Sequence, residues 1–111
     1  MTSPDTIACS LGDPELKARL NHLRTGLFAR VTAVRQDGDG FLFSFEDTDD
    51  TVGNVLEFIR LERECCPFLR FQLTLPPSPQ VITVHLSASG DQGLSFVREM
   101  FVTLTSQDIT T

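Results

Sequence analysis

Phe41, Phe43 and Phe45 alternate with Leu42, Ser44 and Glu46, directly after the run DGDG at positions 37–40. This stretch limits the fold more than any other. A period of two puts the three phenyl rings on one face of a strand and leaves the opposite face mixed. Asp-Gly steps supply the positive φ that a tight hairpin turn needs, so Val31–Gln36 is expected to pair antiparallel with Phe41–Glu46. A sheet with one strongly apolar face must bury it against a second layer.

That second layer is legible as helices. Asp13, Pro14 and Glu15 form a helix start: a cap, a residue suited to the first position, and a favourable acid. Leu16, Leu20, Leu23 and Leu27 then recur at helical spacing, which predicts a helix over Pro14–Phe28. After the cap-rich run DTDDT, Val52, Val55, Leu56 and Ile59 form a stripe widened by Phe58 and Leu61. This second helix is expected over Thr51–Cys65. Pro67 ends it, because proline disfavours helical geometry in the residue before it, Cys66. Phe68–Leu75 and Val81–Ser87 alternate as strands around PPSP, and Leu94, Val97, Phe101 and Leu104 predict a third helix over Asp91–Leu104.

The order α-ββα-ββα predicts an α+β, two-layer sandwich: an antiparallel four-stranded sheet with helices packed on one face. One domain is expected over 1–111, with residues 1–10 as an extended lead-in and 105–111 as a frayed tail. A homodimer is a second way of covering the apolar helical faces.

Charge excludes some partners. The net charge is −6 and the pI about 4.7, which argues against nucleic acid and anionic lipid, since both require clustered Lys and Arg. No apolar run approaches a membrane span, and the N-terminus lacks a signal-peptide pattern, so a cytoplasmic location is expected. No GxSxG, phosphate-binding glycine loop or HExxH is present, and the carboxylates of EDTDD suit helix capping.

The chemistry concentrates in ERECCPF, Glu62–Phe68. The chain has three cysteines, and two of them, Cys65 and Cys66, are adjacent. Neighbours on a helix point about 100° apart, given ~3.6 residues per turn. Pro67 releases Cys66 from the helix, so the pair can turn toward a common point. A helix C-terminus is electronegative, which disfavours a bare thiolate and favours a cation beside the sulfurs. Thiolates select soft ions such as Zn(II), Cu(I) or Hg(II), and thiophilic As(III). Two sulfurs leave a site incomplete; Cys9 is the candidate third ligand, and His85 or His22 the candidate fourth. Glu62 and Arg70 are candidate outer partners, although Glu62 and Glu64 could instead pair with Arg60 and Arg63 on an exposed face. A strained vicinal disulfide, or a disulfide from Cys9 to either neighbour, is a redox alternative. Simple core packing of the thiols is the plain alternative.

The segments IACSL and LERECCPFLRFQLTL resemble a group of small bacterial proteins of unknown function. They share a Glu-x-x-Cys-Cys-x-Phe motif and an N-terminal Ala-Cys-Ser/Thr-Leu motif. The group is associated with mercury and other heavy-metal resistance contexts. The resemblance implies that Cys9, Cys65 and Cys66 form one functional set; it supplies no reaction.

Three functions therefore stand open at the level of sequence. The first is a non-enzymatic soft-metal or metalloid binding protein that buffers, senses or hands over the ion. The second is a thiol-dependent redox or organomercurial-processing enzyme using the same cysteines. The third is an interaction module whose cysteines are packing residues.

Overall fold

The computed structural model describes residues 12–77 and 81–105. The chain forms α1 (Pro14–Phe28), β1 (Val31–Asp37), β2 (Gly40–Glu46), α2 (Asp49–Cys65), β3 (Arg70–Thr74), β4 (Val81–Ser87) and α3 (Gly90–Met100), with a 3-10 turn over Val102–Leu104. The four strands make one antiparallel sheet in the order β1-β2-β4-β3. The α+β architecture is the expected one. The lead-in and the tail beyond Thr105 lie outside the described residues.

The elements start where local chemistry places them. The Asp13 carboxylate accepts the Glu15 backbone N–H at 2.9 Å, with Pro14 opening α1. Thr48 caps α2 by accepting from Thr51 N–H at 3.1 Å, so the helix begins at Asp49 and places two acids in its first turn. At the first hairpin Gly38 takes φ 62°, a value that an L-residue rarely adopts. Gly40 follows for a different reason: a side chain there would run into the Leu86 carbonyl on the neighbouring strand.

Two elements are shorter than their periodicity suggests. The third helix stops at Met100, and Val102–Leu104 tightens into a 3-10 turn. Thr103 Oγ1 donates back to the Glu99 carbonyl at 2.7 Å, the type of local bond that competes with helix continuation. β3 covers only Arg70–Thr74 because Phe68, just past Pro67, turns to meet Phe96 of α3 edge to face, with ring centroids 5.0 Å apart.

The core lies between the helices and one sheet face. Phe41, Phe43 and Phe45 of β2, with Ile82, Val84 and Leu86 of β4, are all buried. Phe28, at the end of α1, connects the layers. Its ring sits 5.0 Å from Phe43, 6.0 Å from Phe45, 5.3 Å from Phe58 and 5.3 Å from Phe101. Such aromatic contacts add to area burial. The other sheet face is polar, and Arg70, Gln72, Thr83 and His85 line a shallow depression on it.

Phe28→Ala should therefore destabilise the domain by about 3–5 kcal/mol, whereas Leu56→Ala, at a position 52% exposed, should change stability by no more than about 0.5 kcal/mol. Urea unfolding of both variants checks this; equal effects would contradict the assigned core.

Candidate metal centre

The buried face of α2 is set by Val55, Phe58, Leu61, Glu62 and Cys65. Leu56 points outward, so the apolar stripe is rotated from the one that periodicity suggested, and this rotation carries Glu62 inward. Glu62 is completely buried, and it does not pair with Arg60 or Arg63 on an exposed face. Its partner is Arg24 of α1. Arg24 Nε donates to Glu62 Oε2 at 2.8 Å and a terminal nitrogen to Oε1 at 2.6 Å. This two-pronged geometry is the strong form of the carboxylate–guanidinium bond. The same terminal nitrogen reaches Cys65 Sγ at 3.6 Å, while the other donates to Asn21 Oδ1 at 3.3 Å. The guanidinium also lies 5.8 Å from the Phe101 ring centre.

A second pair, Arg19 with Glu57, repeats the pattern at the surface. Both pairs join residues 38 apart in sequence. The constant offset means that α1 and α2 advance side by side in the same direction at this contact. The inner pair is sealed and the outer pair is exposed.

The helix end behaves as Pro67 dictates. Cys66 closes α2 with φ −128° and ψ 78°, out of helical geometry, and its N–H donates to the Glu62 carbonyl at 2.7 Å. The two sulfurs lie 3.7 Å apart. Glu62, Cys65 and Cys66 each present one donor atom, and these three atoms all fall within 4.8 Å of one another. All three residues are buried.

The redox state of this group matters. Cys65 is disulfide-bonded, and Cys66 is a buried free thiol. The two neighbours are therefore not bonded to each other, and no vicinal disulfide forms. As a disulfide, Cys65 has no thiolate to offer an ion, so the donor set is complete only when that bond is reduced.

Electrostatics reinforce a cation site and weaken a nucleophile. Burial pushes the Cys66 thiol up to about 12; the Glu62 charge and its hydrogen-bonding capacity act in the same direction, and Arg24 acts against them. Catalytic thiols need the opposite shift. Arg24 itself is held above its ordinary value: burial works against its charge, but the hydrogen bonds and charge of Glu62 outweigh that effect.

The remaining candidate residues are dispersed. His85 points to the polar sheet face, where Nε2 sits 2.8 Å from the Asp37 carbonyl oxygen. Arg70 lines the same depression. His22 lines a separate surface hollow with Arg19 and Arg30. None of the three belongs to the Glu62–Cys65–Cys66 group. Cys9 lies outside the described residues. Arg24, absent from the sequence reading, is the additional site residue. It also lines a surface indentation of about 120 Å³ with Lys17, Leu20 and Asn21, while a terminal nitrogen reaches the Cys65 sulfur.

Comparison with known protein families, curated proteins and solved structures finds no match to this chain.

The raised Cys66 thiol has a pH consequence. Its folded value lies above that of an ordinary thiol, ~8.5. The stability that the neutral thiol contributes is therefore complete below about pH 8.5 and is lost as pH rises toward the folded value. Iodoacetamide should alkylate Cys66 in the folded protein with a pH profile still rising above pH 10, whereas the unfolded chain should level off near the ordinary thiol value. A folded-state inflection near pH 8.5 would contradict this environment.

Proposed function

We propose that the reduced protein binds one soft divalent metal ion, of the Zn(II) or Hg(II) class, through Cys65, Cys66 and Glu62. The observation that carries this reading is the convergence of two sulfurs and a carboxylate oxygen within 4.8 Å of one another in a buried setting. Soft ions prefer thiolates, and Zn(II) readily combines them with a carboxylate.

Charge balance supports a divalent ion. Two thiolates and the Glu62 carboxylate bring three negative charges, and Arg24 returns one positive charge. A divalent cation brings the buried set to neutrality. Cu(I) would leave an excess negative charge and As(III) an excess positive one, and uncompensated buried charge is costly. The C-terminal end of α2 adds further favourable potential for a cation.

The role is binding, sensing or hand-over, without catalysis. The raised thiol value of Cys66 fits a group that loses its proton on metal capture better than a standing nucleophile. Binding requires both sulfurs reduced, which suits a reducing compartment such as the cytoplasm. The resemblance of IACSL and the Cys-Cys segment to small proteins from heavy-metal resistance contexts points the same way.

Competition against a chromophoric chelator tests the proposal. The reduced chain should take up one Zn(II). The double variant Cys65→Ser/Cys66→Ser should lose tight binding, and Arg24→Met should weaken it by roughly 10–100-fold, as for residues that orient a metal ligand. Unchanged stoichiometry and affinity in the double cysteine variant, with its circular dichroism intact, would contradict the reading.

A further inference from the structure

The polar face of the sheet carries a second group of residues, apart from the cysteines. Strand register aligns Asp37 of β1, Gly40 of β2, Ser87 of β4 and Arg70 of β3 in one row across the sheet. Asp37, Ser87 and Arg70 of this row, with His85 and Gln72 of the next, line the depression of about 550 Å³ on that face. Gly40 leaves the row bare between Asp37 and Ser87. A side chain there would meet the Leu86 carbonyl and the Ser87 Cβ.

Three groups around this gap lack partners that their chemistry calls for. Ser87 is 1% exposed, yet its hydroxyl has no hydrogen-bond partner among the described residues. A buried polar atom in that state is costly and rare. Arg70 is exposed and forms no ion pair among the described residues. His85 Nε2 lies 2.8 Å from the Asp37 carbonyl oxygen. A carbonyl only accepts, so this nitrogen carries the hydrogen and Nδ1 of the neutral ring is left as an acceptor.

Donors and acceptors are segregated across the row. The carboxylates of Asp37 and Asp39 and the His85 ring gather at the first hairpin, where the Asp37 carboxylate lies 3.8 Å from His85 Nε2. Arg70 stands on the opposite edge strand, three strand spacings or about 14 Å away between backbones. The Ser87 hydroxyl, which can donate or accept, sits between them.

We propose that this depression binds a small zwitterion of the amino-carboxylate class, an amino acid or a close derivative. Its carboxylate meets the Arg70 guanidinium, a pairing suited to two parallel hydrogen bonds, and takes the Ser87 hydroxyl as a further donor. Its ammonium meets Asp37 and His85 Nδ1. A ligand with only a negative charge would face two aspartates, and one with only a positive charge would face Arg70; a ligand bearing both matches each end. Asp37, Asp39 and His85 do not draw their ligand atoms together as Glu62, Cys65 and Cys66 do, so a metal ion does not suit this face. The net charge of −6 disfavours a polyanion. The proposal is independent of the metal-binding reading.

Titration of the full chain with L-glutamine, followed by heteronuclear NMR, tests it. Saturable shifts should centre on the backbone amides of Arg70, Gln72, His85 and Ser87. Acetate and methylammonium, which carry one charge each, should bind at least tenfold more weakly. Arg70→Gln should weaken L-glutamine at least tenfold, as for a lost hydrogen bond between charged groups, whereas Arg63→Gln on α2 should leave it unchanged. Ser87→Ala should also lose affinity while keeping its urea midpoint, which a purely structural serine would not do. Acetate binding as tightly as L-glutamine would reduce the depression to an anion site and overturn the proposal. Shifts that are absent, centred elsewhere or unaffected by Arg70→Gln would overturn it as well. Zinc uptake is a separate readout, so the failure of either reading leaves the other standing.

Discussion

The buried ion pair between Arg24 and Glu62 is the constraint around which this protein is arranged. It joins α1 to α2, fixes their register, and places a guanidinium beside the Cys65 sulfur. Such a pair is a weak way to gain stability, because the cost of desolvating two charges consumes most of their attraction. A well-packed apolar pair would serve the core equally well. Removing one partner is another matter, since it strands a buried charge at a cost of about 3–5 kcal/mol. On the proposed reading, Glu62 is a ligand and Arg24 sets both its orientation and the charge of the ion that fits.

The helix end supplies the rest. Pro67 turns Cys66 out of α2, and the sulfurs come to lie 3.7 Å apart although adjacent helical side chains diverge. Both flank a carboxylate at a helix C-terminus, a position that repels thiolates until a cation arrives. The same features that make Cys66 a poor nucleophile would favour a cation held by the group on the proposed reading. The disulfide at Cys65 adds a second level, because it removes one sulfur while leaving the other donor residues assembled.

The fold was readable because its signals are local. The Phe41–Phe43–Phe45 alternation, the DGDG turn and the caps at Asp13 and Thr48 each act within a few residues. The site was readable only in part. The cysteine pair and the effect of Pro67 stood out, whereas the buried pair joins residues 38 positions apart and no local rule proposes it. A signal did exist. Arg24 sits inside the stripe Leu20–Leu23–Leu27, and Glu62 continues Val55–Phe58 toward Cys65. Opposite charges on two apolar stripes indicate a buried pair. A stripe drawn through Leu56 and Ile59, even widened by Phe58 and Leu61, leaves Glu62 open between an outer partner of the sulfurs and an exposed partner of Arg60 and Arg63. The third helix was read four residues too long because hydrophobic spacing is also satisfied by the 3-10 turn that follows it.

The coordination shell is the most direct test of the account. X-ray absorption at the zinc edge of the reduced, Zn(II)-loaded chain should show two sulfur scatterers at about 2.3 Å with oxygen scatterers at about 2.0–2.2 Å. Loss of one oxygen contribution in Glu62→Ala would complete the assignment of the carboxylate. A shell made only of nitrogen and oxygen, or one of three or more sulfurs, would contradict a centre built from Cys65, Cys66 and Glu62.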